Sequence, residues 1–370
     1  MKNFKPYSLH LPRWYPIPEK PDWAPFVKAH FLAASKASKA ILIFAYPGKS
    51  TKRFEKETND SLEVLIRFQP LSNRILNGIY SLYILNREVR RIQRKHGKPS
   101  IIHGHVHTRN LIVARNLAKK FKVPYFVTEH WSGFCNGQFF ELPKYKRGIM
   151  KSLYEQAQSV LPVSSFLAKG MRSSGILANY TVVPNVIEIP EGVERTNSEK
   201  FRFLVISDMR NEVKNIKGIL QAFQKAELPG AEIHLVGDGL DKEELMNDFS
   251  APNIHWHSAC AHHEVFHYLA GADGLIVFSK TETFSMISLE AIGMGVPVIS
   301  SPCGGPEEWI DSETGILLKS FEVDELVSAM EQLQSNPIHI PERVRKEKLA
   351  PFGLEKVSET LHKLYEPWLS

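Results

Sequence analysis

A chain of 370 residues, 43% apolar and 23% charged, has the composition of a globular protein and room for two domains of ordinary size. No stretch approaches the roughly 18–20 uncharged apolar residues needed to span a bilayer, and the opening MKNFKPYSLHLPRWYPIPEK lacks the apolar core of a secretory leader, so a cytoplasmic protein is expected. Three cysteines without paired spacing, Cys135, Cys260 and Cys303, suit a reducing compartment and exclude a disulfide framework.

The net charge of +6 hides an asymmetry. Residues 1–185 hold 30 Lys and Arg against 10 Asp and Glu, a net +20, whereas residues 186–370 hold 16 against 30, a net −14. A basic half implies an anionic partner: nucleic acid, an anionic membrane surface or a phosphorylated acceptor. No helix-turn-helix, zinc-finger or RNP pattern supports nucleic acid. Basic residues do recur among aromatic and aliphatic ones, in Leu71–Lys98 and in Pro143–Tyr154. Such runs suit peripheral attachment to the inner face of the cytoplasmic membrane, and they equally suit solvated helix faces.

In chain order, Tyr7–Leu11 is a predicted strand, followed by a proline-rich loop from Pro12 to Pro25 and a helix beginning near Phe26. Ala40–Ala45 and Glu63–Phe68 are predicted as the second and third strands. A long helix, Leu71–Lys95, is expected to bury Ile75, Leu76, Ile79, Leu82, Val89 and Ile92, which recur every three to four residues. Ser100–Phe134 reads as strand, loop, helix, strand, loop. His103, His105 and His107 end its first strand and His130 its second, at one edge of a parallel sheet where a site belongs. The same histidines could cap the strand locally, or supply part of a metal site. A helix over Lys146–Gln158 precedes Ser164–Ser165, which caps the next helix.

The polar run Glu191–Lys200 is the predicted hinge, and the charge changes sign there. Beyond it, Phe203–Ser207, Glu232–Val236 and Ile254–His257 alternate with helices Ile216–Ala226, Lys242–Phe249 and His262–Ala270, the pattern of a doubly wound parallel sheet. His255–His267 is rich in histidine without a metal-ligand spacing on one face, so core or solvated histidines are the plainer reading. The stretch Phe278–Trp309 follows. Apolar Leu275–Phe278 leads into a turn at Glu282, a helix carrying Glu290, a strand Val296–Ser300 and a Gly304–Gly305–Pro306 turn. In such a unit the first turn lies at the carboxyl edge of the sheet, and amides at the helix start favour a phosphate. Two carboxylates eight residues apart are by themselves common on solvated helices. DSETGILLKS is expected to form a short strand pair, and a helix Val323–Gln334 and a final amphipathic segment close the chain.

Glu282 and Glu290 with EAIGMGVPVISSPCGGPEE resemble the E-x7-E donor-site motif of retaining glycosyltransferases of family four, which have the GT-B fold. IHGHVHT and TEHWSGF resemble that family's acceptor-side segments, and PNVI its interdomain linker. The resemblance implies an α/β protein of two Rossmann-like, doubly wound parallel-sheet domains facing across a cleft. Residues 1–185 with a returning helix over 352–370 would bind the acceptor, and residues 186–351 a nucleotide-diphosphate sugar, UDP- or GDP-linked. Implied is sugar transfer with retention to a glycan or lipid-linked acceptor in cell-envelope polysaccharide synthesis, with no metal or other cofactor. Glu282 would bond donor-sugar hydroxyls, with His105 first and His130 second approaching the sugar. Lys214 and Arg210, with the backbone of Thr283, Phe284, Ser285, Met286 and Ile287, would hold the diphosphate, and Glu290 the ribose diol. The family's N-terminal loop glycine is replaced by Ala24–Pro25, and its usual arginine by Asp208. Those departures leave open a silent sugar-nucleotide- or glycan-binding subunit, and the fold leaves open a sugar-nucleotide epimerase.

Overall fold

The computed structural model describes residues 5–369 apart from 108 and 197. The chain divides into two compact units, Met1–Val186 with Phe352–Ser370, and Ile187–Pro351. Seven strands form the sheet of the first unit: β1 (Ser8–Pro12), β2 (Ala40–Pro47), β3 (Lys52–Glu57), β4 (Ser61–Phe68), β5 (Ile101–His105), β6 (Tyr125–Glu129) and β7 (Ser159–Pro162). Their order is β3-β4-β2-β1-β5-β6-β7, parallel throughout except for the β3–β4 pair. Ile41, Leu42 and Ile43 of β2 and Ile101 and Ile102 of β5 are fully buried, as a parallel sheet covered on both faces requires.

Two features of this unit depart from the sequence expectations. Glu63–Phe68 falls in the fourth strand rather than the third, because the charged segment KRFEKE forms β3, an antiparallel edge. Its exposed charges protect the edge from further pairing, so it carries none of the apolar signal by which strands are read. The helix expected from Leu71 spans Arg74–His96, since the side-chain oxygen of Asn73 accepts from the amides of Ile75 and Leu76 at 2.9 and 3.1 Å. Only its second half is core: Ile84, Leu85, Val89 and Ile92 are buried, whereas Ile75, Leu76 and Ile79 are exposed. The turn before helix Pro25–Ala37 is also present without its glycine, Ala24 itself taking the left-handed conformation at φ 53°. The helix Leu354–Tyr365 belongs to this unit, where Val357, Leu361 and Tyr365 pack with Ala33, Ala34, Phe126 and Leu161.

The second unit holds six parallel strands: β8 (Phe201–Ile206), β9 (Ala231–Val236), β10 (Ile254–His257), β11 (Gly274–Val277), β12 (Val298–Ser300) and β13 (Gly315–Leu317). Their order is β10-β9-β8-β11-β12-β13. Phe203, Val205, Ile233, Leu235, Ile276 and Ile299 form its core with Ile219, Leu220 and Phe223 of helix Ile216–Ala226. DSETGILLKS gives one strand, not a pair. The Asp311 carbonyl accepts from the amides of Thr314 and Gly315 at 3.0 and 2.8 Å, closing a turn that uses up the first half of that segment.

Both sheets have a topological switch point. In the first unit the chain winds outward in opposite directions from β1 and β5, and in the second from β8 and β11. The loops leaving the carboxyl ends of these strands are where a doubly wound sheet holds its ligands.

Candidate active site

In the second unit, the loops after β8 and β11 supply Lys214 and Glu282. β8 is followed by Ser207, whose hydroxyl accepts from the Met209 amide at 3.1 Å. Met209 takes a left-handed φ of 48°. The loop rests on the turn after β9, where a Cβ on Gly237 would stand 1.8 Å from the Ser207 carbonyl and one on Gly239 1.9 Å from that of Asp208. Only glycine allows this approach. A single helical turn, Asn211–Lys214, follows, anchored by the Asn211 amide on Asp241 at 2.7 Å. The Val213 carbonyl of that turn accepts from the Lys280 amide at 2.8 Å, tying the two loops together.

The turn carrying Glu282 is clamped by the Gly-Gly-Pro turn. The Glu282 amide donates to Cys303 O and its carbonyl accepts from Gly305 N, both at 2.8 Å. A Cβ on Gly305 would lie 2.8–2.9 Å from the Phe284 backbone, so the two turns are in direct contact. Trp309 completes the clamp, with its ring 4.9 Å from Phe284 and its indole N–H donating to Ser288 Oγ at 2.9 Å. The helix then runs Met286–Gly293 behind Ser285, which is left-handed at φ 62°. Of the amides expected at a phosphate, those of Met286 and Ile287 open the helix, while Thr283 and Phe284 lie in the turn before it.

Lys214 Nζ and Glu282 Oε1 are 2.6 Å apart and partly buried. Burial pulls the Lys214 amine down, but the Glu282 carboxylate more than offsets it, and the net shift is upward. The amine is therefore cationic at neutral pH. Arg210 pairs with Asp208 at 2.5 Å on the exposed surface of the same loop. The arginine thus stands beside the aspartate that replaces it. Glu290 is buried at the second turn of the helix and is bonded by His262 Nε2 at 2.8 Å. His262 was missed as its partner. Its signal is its place at the first position of the helix following β10, a strand of the same sheet.

The other histidines of that stretch disperse. His255 and His257 lie on β10 beside His234, where Glu232 pairs with Arg202 at 2.8 Å, and His263 and His267 face solvent. The ligand atoms of Glu232, His234 and His255 lie within 4.8 Å of one another, although the carboxylate is already neutralised by Arg202.

In the first unit the histidines sit at the β1–β5 switch point. His105 is 0% exposed, stacked on His103 at 4.4 Å, with Nε2 3.1 Å from His10 Nδ1. His103 bonds Thr128 at 2.7 Å and the Tyr365 hydroxyl. Burial, then the neighbouring histidines, push both rings well below the usual histidine range. The His105 ring is thus enclosed among side chains of its own unit. His130 lies nearer the surface at 8% exposed, packed on Phe26 at 4.7 Å and His30 at 5.4 Å.

Glu129 escaped the sequence reading, and it organises both histidine loops. Its Oε1 accepts from the amides of His130 and Trp131, each at 2.8 Å, and its Oε2 from the His107 amide at 3.1 Å and the Tyr154 hydroxyl. The available signal was an acidic residue directly following an apolar strand. His107 packs on Trp131 at 4.2 Å.

Comparison with known proteins gives two family matches in tandem. Residues 32–190 match "Glycosyltransferase Family 4" and residues 200–336 match "Glycosyl transferases group 1". The chain is 25% identical over 256 residues to a sulfoquinovosyl transferase of Arabidopsis thaliana, covering 64% of this chain and 50% of the relative. It is 29% identical over 178 residues to an N-acetyl-alpha-D-glucosaminyl L-malate synthase of Bacillus anthracis, covering 45% and 46%. The alignments thus span about half the length of these two relatives. Among solved structures, a sucrose-phosphate synthase from Thermosynechococcus elongatus superposes with a TM-score of 0.76 at 16% identity, covering 98% of both chains. An Anabaena protein, HepE, in complex with UDP and glucose gives 0.73 at 14% identity, covering 98% of this chain and 99% of its own. With two glycosyltransferase domain models in tandem, each over a parallel-sheet Rossmann-like unit, the chain has the GT-B glycosyltransferase fold.

Proposed function

We propose that this protein transfers a sugar from a nucleotide-diphosphate donor to a glycan or lipid-linked acceptor with retention of anomeric configuration, in cell-envelope polysaccharide synthesis. The observation that carries this reading is the Lys214–Glu282 pair, 2.6 Å apart at the switch point of the second unit and one turn before the start of helix Met286–Gly293. A cation beside a helix N-terminus suits a diphosphate without a divalent metal, and a carboxylate, as acceptor only, suits sugar hydroxyls. In transfer, the bond from the anomeric carbon to the diphosphate oxygen breaks as the acceptor oxygen bonds to that carbon on the same face. The acceptor's proton leaves with the nucleoside diphosphate. Lys214 stabilises the negative charge developing on the departing oxygen, which asks Glu282 to exchange its lysine for a sugar hydroxyl. Glu290 holds the ribose diol, sharing its carboxylate with His262. In the first unit the sugar-side role falls to His105 first and His130 second.

UDP is the first donor nucleotide to test, because solved GT-B neighbours are described as complexes with UDP and UDP-glucose. The cell-envelope setting is supported by relatives described as a lipopolysaccharide 1,6-galactosyltransferase of Escherichia coli and a teichuronic acid biosynthesis glycosyltransferase of Bacillus subtilis, 25% and 24% identical. The experiment is turnover of labelled UDP- and GDP-sugars with membrane extract, with and without EDTA. Transfer that survives EDTA supports the reading. An altered free nucleotide sugar indicates an epimerase, and binding without turnover a silent subunit; either outcome overturns it.

A further inference from the structure

The helix Arg74–His96 leaves a row of large apolar side chains uncovered. Ile75, Ile79 and Tyr83 recur at four-residue spacing and are 72%, 60% and 57% exposed, with Leu76 beside them at 54% and Leu71, in the segment before the helix, at 46%. Residues four apart form one ridge of a helix, so these groups make a continuous apolar strip rather than scattered singles. The strip is not a helix waiting for its own core. The second half of the same helix is packed through Ile84, Leu85, Val89 and Ile92, and the first half is seated by Tyr80 on Phe68 at 5.8 Å.

The same four-residue row continues as Arg87, Arg91 and Lys95, all exposed, with Arg90 and Arg94 alongside. Along one ridge the side chains pass from aliphatic to aromatic to basic. The one acidic residue of the helix, Glu88, is 2% exposed and shared between Arg53 at 3.0 Å and Arg87 at 3.6 Å, and Lys95 meets Glu57 at 3.5 Å, so Arg90, Arg91 and Arg94 carry the surplus positive charge at the surface. A second exposed pair at four-residue spacing, Tyr145 and Ile149, occurs with Lys144 and Lys146 on helix Lys144–Glu155 of the same unit. A buried protein interface would favour fewer cations at its centre, whereas apolar side chains that enter the acyl boundary beside cations that meet phosphates are what an anionic lipid surface takes.

We propose that the row Ile75–Ile79–Tyr83, with Arg87, Arg91 and Lys95, is a membrane-docking surface for anionic lipid. Its apolar part lies at the carboxyl edge of the sheet, because helix Arg74–His96 begins there before returning to β5, and the Arg109 side chain after β5 packs against Gly78. A lipid-borne acceptor would therefore be met on the edge that carries the histidine loops. The docking proposal stands independently of the sugar-transfer reading.

The test is co-sedimentation of the full chain with phosphatidylcholine vesicles, with or without 30% phosphatidylglycerol, at low and high salt. Expected are binding to the anionic vesicles alone, weakening with salt, and a loss of roughly tenfold or more in both Ile75→Ser/Ile79→Ser/Tyr83→Ser and Arg87→Gln/Arg91→Gln/Lys95→Gln. The melting temperature of each variant should match the parent, because the substituted groups are exposed. Equal binding to neutral vesicles, vesicle binding that neither variant changes, or a parent that fails to bind would overturn the proposal. So would a parent that dimerises through this strip, shown by the apolar variant becoming monomeric.

Discussion

Lys214 and Glu282 stand 68 residues apart in sequence and share one hydrogen bond. Each is partly buried, so neither has bulk water as an equal alternative to its partner. Lys214→Ala is predicted to weaken UDP binding tenfold to hundredfold, about 1.4–3 kcal/mol for a charged hydrogen bond, measured by titration calorimetry. Unchanged affinity would remove the diphosphate role from this residue. Ser285 makes a different case, because it holds a left-handed φ of 62° and its buried hydroxyl has no hydrogen-bond partner among the described residues. Ser285→Gly relieves the backbone strain and deletes the orphaned hydroxyl. It should raise stability by about 1 kcal/mol, roughly 2–4 °C in melting temperature, while lowering donor affinity. Differential scanning calorimetry checks the first effect, and a fall in melting temperature would show that the conformation is unstrained. The turn carrying Glu282 was legible in the sequence, because a strand, turn and helix in succession are a local pattern. Its bond to Lys214 was not, since nothing in a linear spacing pairs two loops from different strands.

At the scale of elements, the loops share a device. Val106 after β5, Met209 after β8 and Ser285 after β11 all have positive φ, at 65°, 48° and 62°. Each follows a strand at a switch point, where such strain marks candidate binding loops. Glycine enters by contact rather than by dihedral alone. Gly237→Ala would drive a Cβ into the Ser207 carbonyl 1.8 Å away, displacing the loop that leads to Lys214. It is predicted to cost about 2 kcal/mol or more by chemical denaturation and to weaken nucleotide binding, whereas Gly192→Ala, with nothing within 4 Å, should leave binding unchanged. Loss of binding in neither variant would dissociate that loop from the site. The βα alternation of the second unit was readable because its strands are buried and apolar. The edge strand β3 was not, since the charges that protect an edge also erase its pattern. The helix Arg74–His96 shows a further limit of periodicity. Apolar recurrence marks a face without saying what covers it, so Ile75 and Ile79 read as core and lie in the open.

For the molecule as a whole, the buried histidines of the first unit tie stability to pH. Burial, aided by His30, holds His10 down to about 3, and burial holds His30 down to about 4; His103, His105 and His130 are also shifted well down. A histidine with a lower pKa folded than unfolded takes its proton more readily in the unfolded chain. Stability is thus complete above about pH 6.5 and drains as the pH falls from there toward 4, at up to about 1.4 kcal/mol per pH unit for each histidine. Chemical denaturation from pH 7.5 to 4.5 should show this decline, and a flat profile would mean these rings are protonated when folded. Loops bearing histidines at a sheet edge could be located from sequence, but not which ring is enclosed. That depends on long-range partners, Tyr365 on the returning helix and Glu129 beneath both loops.

The central claim is sugar transfer with retention, and the direct measurement is the anomeric configuration of the product. Parent protein, membrane acceptor and an α-linked UDP-sugar would be followed by proton NMR, with Glu282→Ala and Lys214→Ala in parallel. The account predicts an α-linked product from the parent and a loss of at least a hundredfold in rate for each variant. A β-linked product, or transfer by Glu282→Ala at the parent's rate, would contradict it.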